Sequence, residues 1–307
     1  MLFNFSILST YYLLVSAFWM SGCNPTSDTK IETPVTVSDT TIFMDRVAIG
    51  TLIDQKVDEA SGLAISILNP HHFWTHNDSG DKARLFMIND KAEYIFTLDI
   101  SDITNRDWED IAIAKDPVSH QPRIYIGDIG DNNAQYPNGY IYIIDEPFDM
   151  AQIDITIKKH DKITFQYPDG RRDAECLMVD PTTGDIYIVS KRESNVNLYK
   201  IPYPYNFNDI VIAEKLLTLP LTQVVAGDIS YDGSEILIKN YVKVYHWKRK
   251  KGQSISEALS ATATEPPYIQ EPQGESICWS RDAKSFYTIS ESSPFKVTPV
   301  LYRYDKK

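Results

Sequence analysis

The chain has 307 residues, of which 43% are hydrophobic and 12% aromatic, enough for a large hydrophobic core. Its 42 Asp and Glu outnumber 30 Lys and Arg, for a net charge of −12. Such a surface excludes duplex nucleic acid as an expected partner, because the phosphate backbone is bound through basic side chains. Three Cys residues in so long a chain also exclude a disulfide framework.

The chain begins with an uncharged segment, residues 1–22, whose apolar part (7–19) is too short to span a bilayer comfortably. Met20-Ser21-Gly22-Cys23 follows and resembles a bacterial lipobox, with Met where Leu is usual and no Lys or Arg before it. The resemblance implies cleavage before Cys23, a lipid on Cys23 and a membrane anchor in the cell envelope. Asn24 is not the Asp that retains such proteins at the inner membrane, which implies the outer membrane in a Gram-negative cell. An uncleaved apolar anchor or an ordinary signal peptide are the alternatives.

The next segment, residues 24–41, is rich in Thr, Ser, Pro and Asp, which is typical of a flexible tether. We therefore predict a lipoprotein signal peptide over 1–22, a tether over 23–40 and one folded domain over 41–307.

Beyond the tether, five units repeat three strand-like segments. In the first segment an aliphatic residue is preceded by polar or acidic ones: Ser61-Gly62-Leu63, Glu109-Asp110-Ile111, Glu175-Cys176-Leu177, Gly227-Asp228-Ile229 and Glu275-Ser276-Ile277. The pattern Glu-x-aliphatic is shared by three units. In the first unit Ser61 stands at the position of this Glu, and Glu59, two residues earlier, lies on the same strand face as Ser61. In the fourth unit Asp228 is shifted by one residue and should point the other way unless a bulge re-aims it.

The second and third segments are richer in β-branched and aromatic residues, which favour a pleated, buried surface. The second runs end in Asn77, Asp128, Ser190, Asn240 and Ser290. The third contain Leu85-Phe86, Ile141-Tyr142, Leu198-Tyr199, Val244-Tyr245 and Leu301-Tyr302, whose aromatic residues are 56, 57, 46 and 57 positions apart.

Fourth strands are weaker but plausible at 94–98, 162–165 and 214–219, and the fourth unit offers only the stretch before Pro266. The fifth unit has no room for one, whereas 46–53 is a spare strand before the first unit. We therefore predict an all-β, five-bladed β-propeller of four-stranded antiparallel sheets, closed by the N-terminal strand. The alternatives are a β-sandwich, and a sixth blade hidden between Glu146 and Arg172.

Inner strands surround the axis of a propeller, so the acids at their ends should converge at one mouth of the central channel. Crowded carboxylates must be protonated, paired with cations or bound to a metal, and an oxygen-only ligand set favours Ca²⁺. The alternative is structural, since a buried Glu accepts hydrogen bonds from the next blade's backbone and thereby locks two blades together.

Two loops, 77–81 and 128–132, combine Asn, Asp, Ser and Gly, as a cation-binding loop requires and as tight turns also do. Neither has EF-hand spacing, and the sequence lacks the Gly-x-Ser-x-Gly, His-Glu-x-x-His and Cys-x-x-Cys signatures. The candidate ligand and metal residues are Glu59, Asn77, Asp78, Glu109, Asp110, Asp128, Asp131, Glu175, Asp228, Asn240 and Glu275.

Three motifs resemble those of poorly characterised secreted bacterial β-propeller proteins: residues 74–80 (Trp-Thr-His-Asn-Asp-Ser-Gly), 107–112 (Asp-Trp-Glu-Asp-Ile-Ala) and 127–132 (Gly-Asp-Ile-Gly-Asp-Asn). A looser resemblance is to TolB-like propellers and to calcium-dependent lactonases of the gluconolactonase type. The latter implies a central Ca²⁺ held by Glu59 or Glu275 with Asn77, Asp128 and Asn240, although those propellers have six blades.

Two functions remain open. The first is a surface-tethered propeller that binds a small ligand or protein at the acidic mouth of its channel. The alternative is a Ca²⁺-dependent hydrolase of an ester, lactone or phosphate, in which the cation polarises the substrate and a nearby acid serves as base. Binding is preferred because fold does not fix function and the sequence shows no nucleophile signature.

Overall fold

The computed structural model describes residues 37–38, 42–148, 154–292 and 296–307. The predicted signal peptide, Cys23 and most of the tether lie outside these ranges. Within them, no helix is both long and apolar enough to cross a bilayer.

Five small sheets form a ring, which confirms the predicted five-bladed propeller. Each blade begins with a strand that contacts the first strand of the blades on either side, so that these inner strands close a circle around the axis. The inner strands are β3 (Ala60–Ile65), β7 (Trp108–Lys115), β12 (Ala174–Val179), β17 (Val224–Ile229) and β21 (Cys278–Trp279).

The second and third strands of each blade are the β-branched and aromatic runs seen in the sequence, and they pair antiparallel with their neighbours. The second strands are β4 (His72–Asn77), β8 (Pro122–Asp128), β13 (Ile186–Ser190), β18 (Glu235–Asn240) and β22 (Ser285–Thr288). The third strands are β5 (Arg84–Asn89), β9 (Gly139–Asp145), β14 (Val196–Ile201), β19 (Val244–Lys248) and β23 (Val300–Asp305).

The outer strands confirm the predicted closure of the ring. The fourth strands are β6 (Tyr94–Ile100), β11 (Asp161–Gln166), β16 (Glu214–Leu219), β20 (Thr264–Glu265) and, in the fifth blade, β2 (Val47–Thr51). Because β2 pairs antiparallel with β23, the N-terminal strand completes the last blade and covers the edge of β23. One short helix, α1 (Ile255–Leu259), precedes β20 and is capped by Ser254 and Glu257.

The stretch considered for a sixth blade supplies single strands to two existing blades. In it β10 (Asp154–Ile157) pairs in parallel with β6, and β11 pairs antiparallel with β9. Two more short parallel strands extend other blades: β15 (Val211–Ile212) on β11, and β1 (Val37–Ser38) on β20. The last of these lies at the end of the segment that the sequence assigns to the tether.

The hydrophobic core is divided among the five seams between neighbouring blades. Trp74 packs with Ile126 in the seam of blades one and two, and Tyr187 with Ile238 in that of blades three and four. Trp108 is also fully buried. Replacement of such a large side chain by Ala typically costs about 3–5 kcal/mol, so the seams supply most of the packing that holds the ring closed.

One carboxylate locks the first two blades together. Glu146, after β9, accepts hydrogen bonds from Leu68 N at 3.0 Å, Ile67 N at 3.1 Å and Trp74 Nε1 at 3.0 Å, all from the first blade. The locking role that the sequence assigned to a ring Glu is therefore filled here by a residue outside the repeat pattern.

We predict that Glu146→Gln lowers the free energy of unfolding by about 1–3 kcal/mol. The Gln side chain replaces one accepting oxygen by an NH₂ group, which would face N–H donors and leave them without an acceptor. Urea denaturation measures this change. The control is Glu214→Gln, which removes an exposed ion pair with Lys200 and should cost about 0–1 kcal/mol. Equal losses in the two variants would contradict the locking role.

Candidate metal centre at one face of the ring

Inner strands begin, and second strands end, at the same face of the ring because the two pair antiparallel. The chain places most of its buried acids at these strand ends. The acids at this face include Glu59, Asp78, Asp107, Glu109, Asp128, Asp131, Asp173, Glu175, Glu275 and Glu291.

Three of these acids form what we call the outer triad: Asp78, Asp107 and Glu109. One oxygen from each lies within 4.8 Å of the other two. Ca²⁺ takes oxygen ligands at about 2.3–2.6 Å, so oxygens on one ion lie at most about 5 Å apart and this spacing fits a single ion. Asp78 is partly exposed and the other two are buried, so the triad opens to solvent past Asp78.

A second group, the inner triad, consists of Glu109, Asp173 and Glu175, with the same 4.8 Å spacing between oxygens. Two basic side chains already contact it. Lys191 Nζ donates to Glu175 Oε1, and Arg192 Nε lies 2.5 Å from Asp173 Oδ2. No ion pair to Asp78, Asp107 or Glu109 is found in the described ranges, although the charges of Arg106 and Lys191 lower the pKa values of Asp107 and Glu109 respectively.

The positions of Glu109 and Glu175 follow from a local irregularity in each of their strands. In β7 the register shifts between Trp108 and Asp110, and in β12 between Ala174 and Cys176. Glu109 and Glu175 are therefore the extra residues of two β-bulges, which free a side chain from the ladder and re-aim it.

A glycine allows the loop after β8 to approach the outer triad. A Cβ atom on Gly130 would lie 2.1 Å from Glu109 Oε1 and 2.6 Å from Asp107 Cγ. Any other residue here would collide with two of the three ligands, which explains why the 128–132 loop has Gly at this point.

Burial is the main cause of the raised pKa values in the outer triad, and neighbouring carboxylates add to it. Burial raises the pKa of Asp78 to about 6, with Asp107, Glu275 and Glu59 contributing. The pKa of Asp107 is raised by burial and by Asp173, and that of Glu109 is raised well above its usual value by burial and by Glu175. These carboxyl groups therefore retain their protons to higher pH than isolated carboxyl groups do.

The other side of the face contains a pair of carboxyl groups, Glu275 and Glu291. Tyr241 Oη donates to Glu275 Oε1 at 2.5 Å. Burial, together with Glu275, raises the pKa of Glu291 to about 10. Nearby, Lys239 is fully buried and donates to Gly274 O, and burial lowers its pKa to about 8.

Several predicted ligands serve other purposes. Asp131 accepts from Gln135 N and Tyr136 N, both at 2.8 Å, and Asn240 accepts from Lys243 N at 2.8 Å, as in side-chain-stabilised turns. Asp128 lies 3.2 Å from Arg106 Nε. Asn77 donates to Asp81 Oδ2 at 2.9 Å and accepts from Glu59 N at 3.3 Å, so it supports the rim beside Asp78.

Asp110 and Asp228 face the next blade instead of the triads. Asp110 Oδ2 accepts from Leu177 N at 2.9 Å, and Asp228 Oδ2 accepts from Trp279 N at 2.7 Å. The register also corrects the alignment of the fourth unit. The bulge in β17 falls at Val225, so Asp228 lies three residues beyond it and is not re-aimed towards the mouth.

Three acids of this face were not among the candidates predicted from the sequence: Asp107, Asp173 and Glu291. A signal for the first two was present: Asp107-Trp108-Glu109 and Asp173-Ala174-Glu175 repeat Asp-x-Glu at the same place in consecutive units. Glu291 lies just beyond a second strand, among polar residues that turns also use.

Comparison of the chain with protein-family models and with curated proteins gives no match.

We predict that Asp78→Asn stabilises the protein in EDTA at about pH 8 by about 1–2 kcal/mol. The pKa of Asp78 is higher in the folded protein than in the unfolded chain. Its carboxyl group therefore contributes stability that is fully present below the unfolded pKa near 3.8 and is lost as pH rises through the folded pKa of about 6. The variant removes that loss.

Urea midpoints of wild type and variant at about pH 4 and about pH 8 provide the measurement. Burial lowers the pKa of His76 to about 4, so the contribution of His76 to stability rises with pH, opposite to that of Asp78. Both proteins contain His76, and its contribution therefore cancels when their stabilities are subtracted. A variant that is less stable than wild type at the higher pH would refute the assignment.

Proposed function

We propose that this β-propeller is a binding module whose ligand is a divalent cation, Ca²⁺ by its ligand chemistry, held at the acidic face of the ring. The single observation that carries the proposal is the outer triad: three carboxylates with oxygens within 4.8 Å and no ion pair in the described part of the chain. Carboxylate oxygens are hard ligands, which Ca²⁺ prefers and Zn²⁺ does not require. Their geometry is also adaptable, whereas Mg²⁺ demands a near-ideal octahedron.

Electrostatics explain why the cation would bind tightly. At neutral pH the outer triad must either retain protons or keep three like charges together in a partly dry site. A divalent ion removes both costs at once, and its remaining coordination positions face solvent past Asp78. An oxygen-bearing ligand or a protein carboxylate that fills these positions would be the further partner of the mouth.

The cellular setting that we propose comes from the sequence. The lipobox-like Met20-Ser21-Gly22-Cys23 supports a lipid anchor on Cys23. The tether would then hold the propeller at an envelope membrane, the outer one in a Gram-negative cell. This setting agrees with the resemblance to secreted bacterial propellers, TolB-like ones among them.

A metal-dependent hydrolase is the second candidate, and the carboxyl pair Glu275 and Glu291 favours it. Glu291 keeps a proton at neutral pH, and both groups interact electrostatically with Asp78 of the outer triad. A cation that polarises an ester, lactone or phosphate, next to a protonated acid, provides two of the usual elements of hydrolysis.

We predict that Ca²⁺ in excess over EDTA raises the melting temperature at about pH 8. A ligand at about 100 times its Kd adds about 2.7 kcal/mol to stability. Asp107→Asn should remove most of this shift. The control is Asp209→Asn, an exposed acid away from the triads, which should leave it unchanged. An absent shift in the wild type would rule out the proposed cation site.

The hydrolase candidate is tested with the Ca²⁺-loaded protein on generic aryl esters, lactones and aryl phosphates. If it is correct, turnover requires Ca²⁺, and Glu291→Gln lowers it by about 10²-fold or more while the Ca²⁺-induced melting shift remains. Absence of turnover on all three classes would eliminate this candidate and leave the binding function.

A further inference from the structure

We propose that the face binds a pair of divalent cations, the second of them in the inner triad, and that Glu109 bridges the two ions. This inference rests on the proposed function, because it assumes a first ion in the outer triad. It adds a second ion and a distinct role for one residue.

The sharing of Glu109 is the first observation. Its carboxylate belongs to both triads, with Asp78 and Asp107 on one side and Asp173 and Glu175 on the other. A carboxylate with one oxygen on each of two ions commonly holds them about 3.5–4 Å apart. Glu109 is only 3% exposed and projects from a bulge, so its position between the two groups is fixed by the backbone.

An unsatisfied oxygen is the second, independent observation. Glu175 is 4% exposed, and its Oε1 is the acceptor for Lys191. Its Oε2 is buried and has no hydrogen-bond partner among the residues that the structure describes. A buried acceptor without a partner costs about 1–3 kcal/mol, and a cation in the inner triad would satisfy it.

The basic residues near the inner triad do not remove the need for a cation. The two triads contain five carboxylates and, among the described residues, form ion pairs only with Lys191 and Arg192, which leaves three negative charges when all five are ionised. One bound divalent ion gives the two triads and their basic partners a net charge of −1, and two bound ions give +1. The residual charge therefore has the same magnitude with two ions as with one.

The two ions should differ in access. The inner triad is buried throughout, whereas the outer triad reaches solvent through Asp78. Lys191 also competes with a cation for Glu175. We therefore expect an outer ion of higher affinity and an inner ion of lower affinity.

The experiment is to count bound Ca²⁺ on the full chain in detergent at about pH 8 by equilibrium dialysis. We expect two ions per wild-type chain, one for Asp107→Asn, one for Glu175→Gln, and a loss of at least about tenfold in both affinities for Glu109→Gln. One ion per wild-type chain would overturn the second site and leave the proposed function intact. No bound ion would overturn both.

Lys191→Met is the complementary variant, because it keeps every carboxylate and removes the competing ammonium group. It should strengthen binding of the weaker ion by about tenfold or more and leave the stronger ion within about twofold. Circular dichroism and melting in EDTA establish that each variant is folded. If Glu175→Gln fails to fold, Lys191→Met decides alone, and an unchanged weaker affinity there, or two ions retained by folded Glu175→Gln, would refute the inner site.

Discussion

Electrostatic repulsion between carboxylates at the centre of a narrow ring is the constraint on which this structure depends. Five inner strands approach one axis, and their ends bring acids from distant parts of the chain to one face. Removing charges from water and placing like charges together both raise the free energy of the folded state. Each acid must therefore have a proton, a hydrogen-bond donor or a cation.

The buried acids of the ring are compensated in different ways. Asp110, Asp228 and Glu146 accept backbone N–H groups of a neighbouring blade and so convert buried charge into links across the seams. Glu175 and Asp173 have basic partners. The outer triad has no ion pair in the described ranges. Asp78 accepts from Ser79 N, and Arg106 lowers the pKa of Asp107, but burial and neighbouring carboxylates still raise the pKa values of all three acids. A divalent ion bound by these carboxylates would reduce their mutual repulsion and so lower the free energy of the folded state.

The architecture could be predicted from the sequence because the relevant signals are local and repeated. Pairs such as Leu85-Phe86 and Leu301-Tyr302 identify buried third strands, and the spare strand before the first unit predicted the closure by β2. The parallel strand β10 could not be assigned in this way, because its partner β6 belongs to the preceding blade. Sequence order alone does not indicate which sheet a short outer strand joins.

The site was only partly predictable for a related reason. Glu109 and Glu175 were found through the repeat, but their orientation depends on bulges that the sequence does not reveal. The same irregularity in β17 falls at Val225, which explains why Asp228 has another environment. Asp107 and Asp173 were overlooked although they lie two residues before a Glu that was selected. An alternation of two along a strand is a signal only when the register is known.

The most direct measurement is an anomalous difference map from crystals grown at about pH 8 and soaked in Tb³⁺, a Ca²⁺ substitute with strong anomalous scattering. The account predicts a peak within bonding distance of oxygens from Asp78, Asp107 and Glu109. A map with no peak at this face, or with peaks only on isolated surface carboxylates, would contradict it.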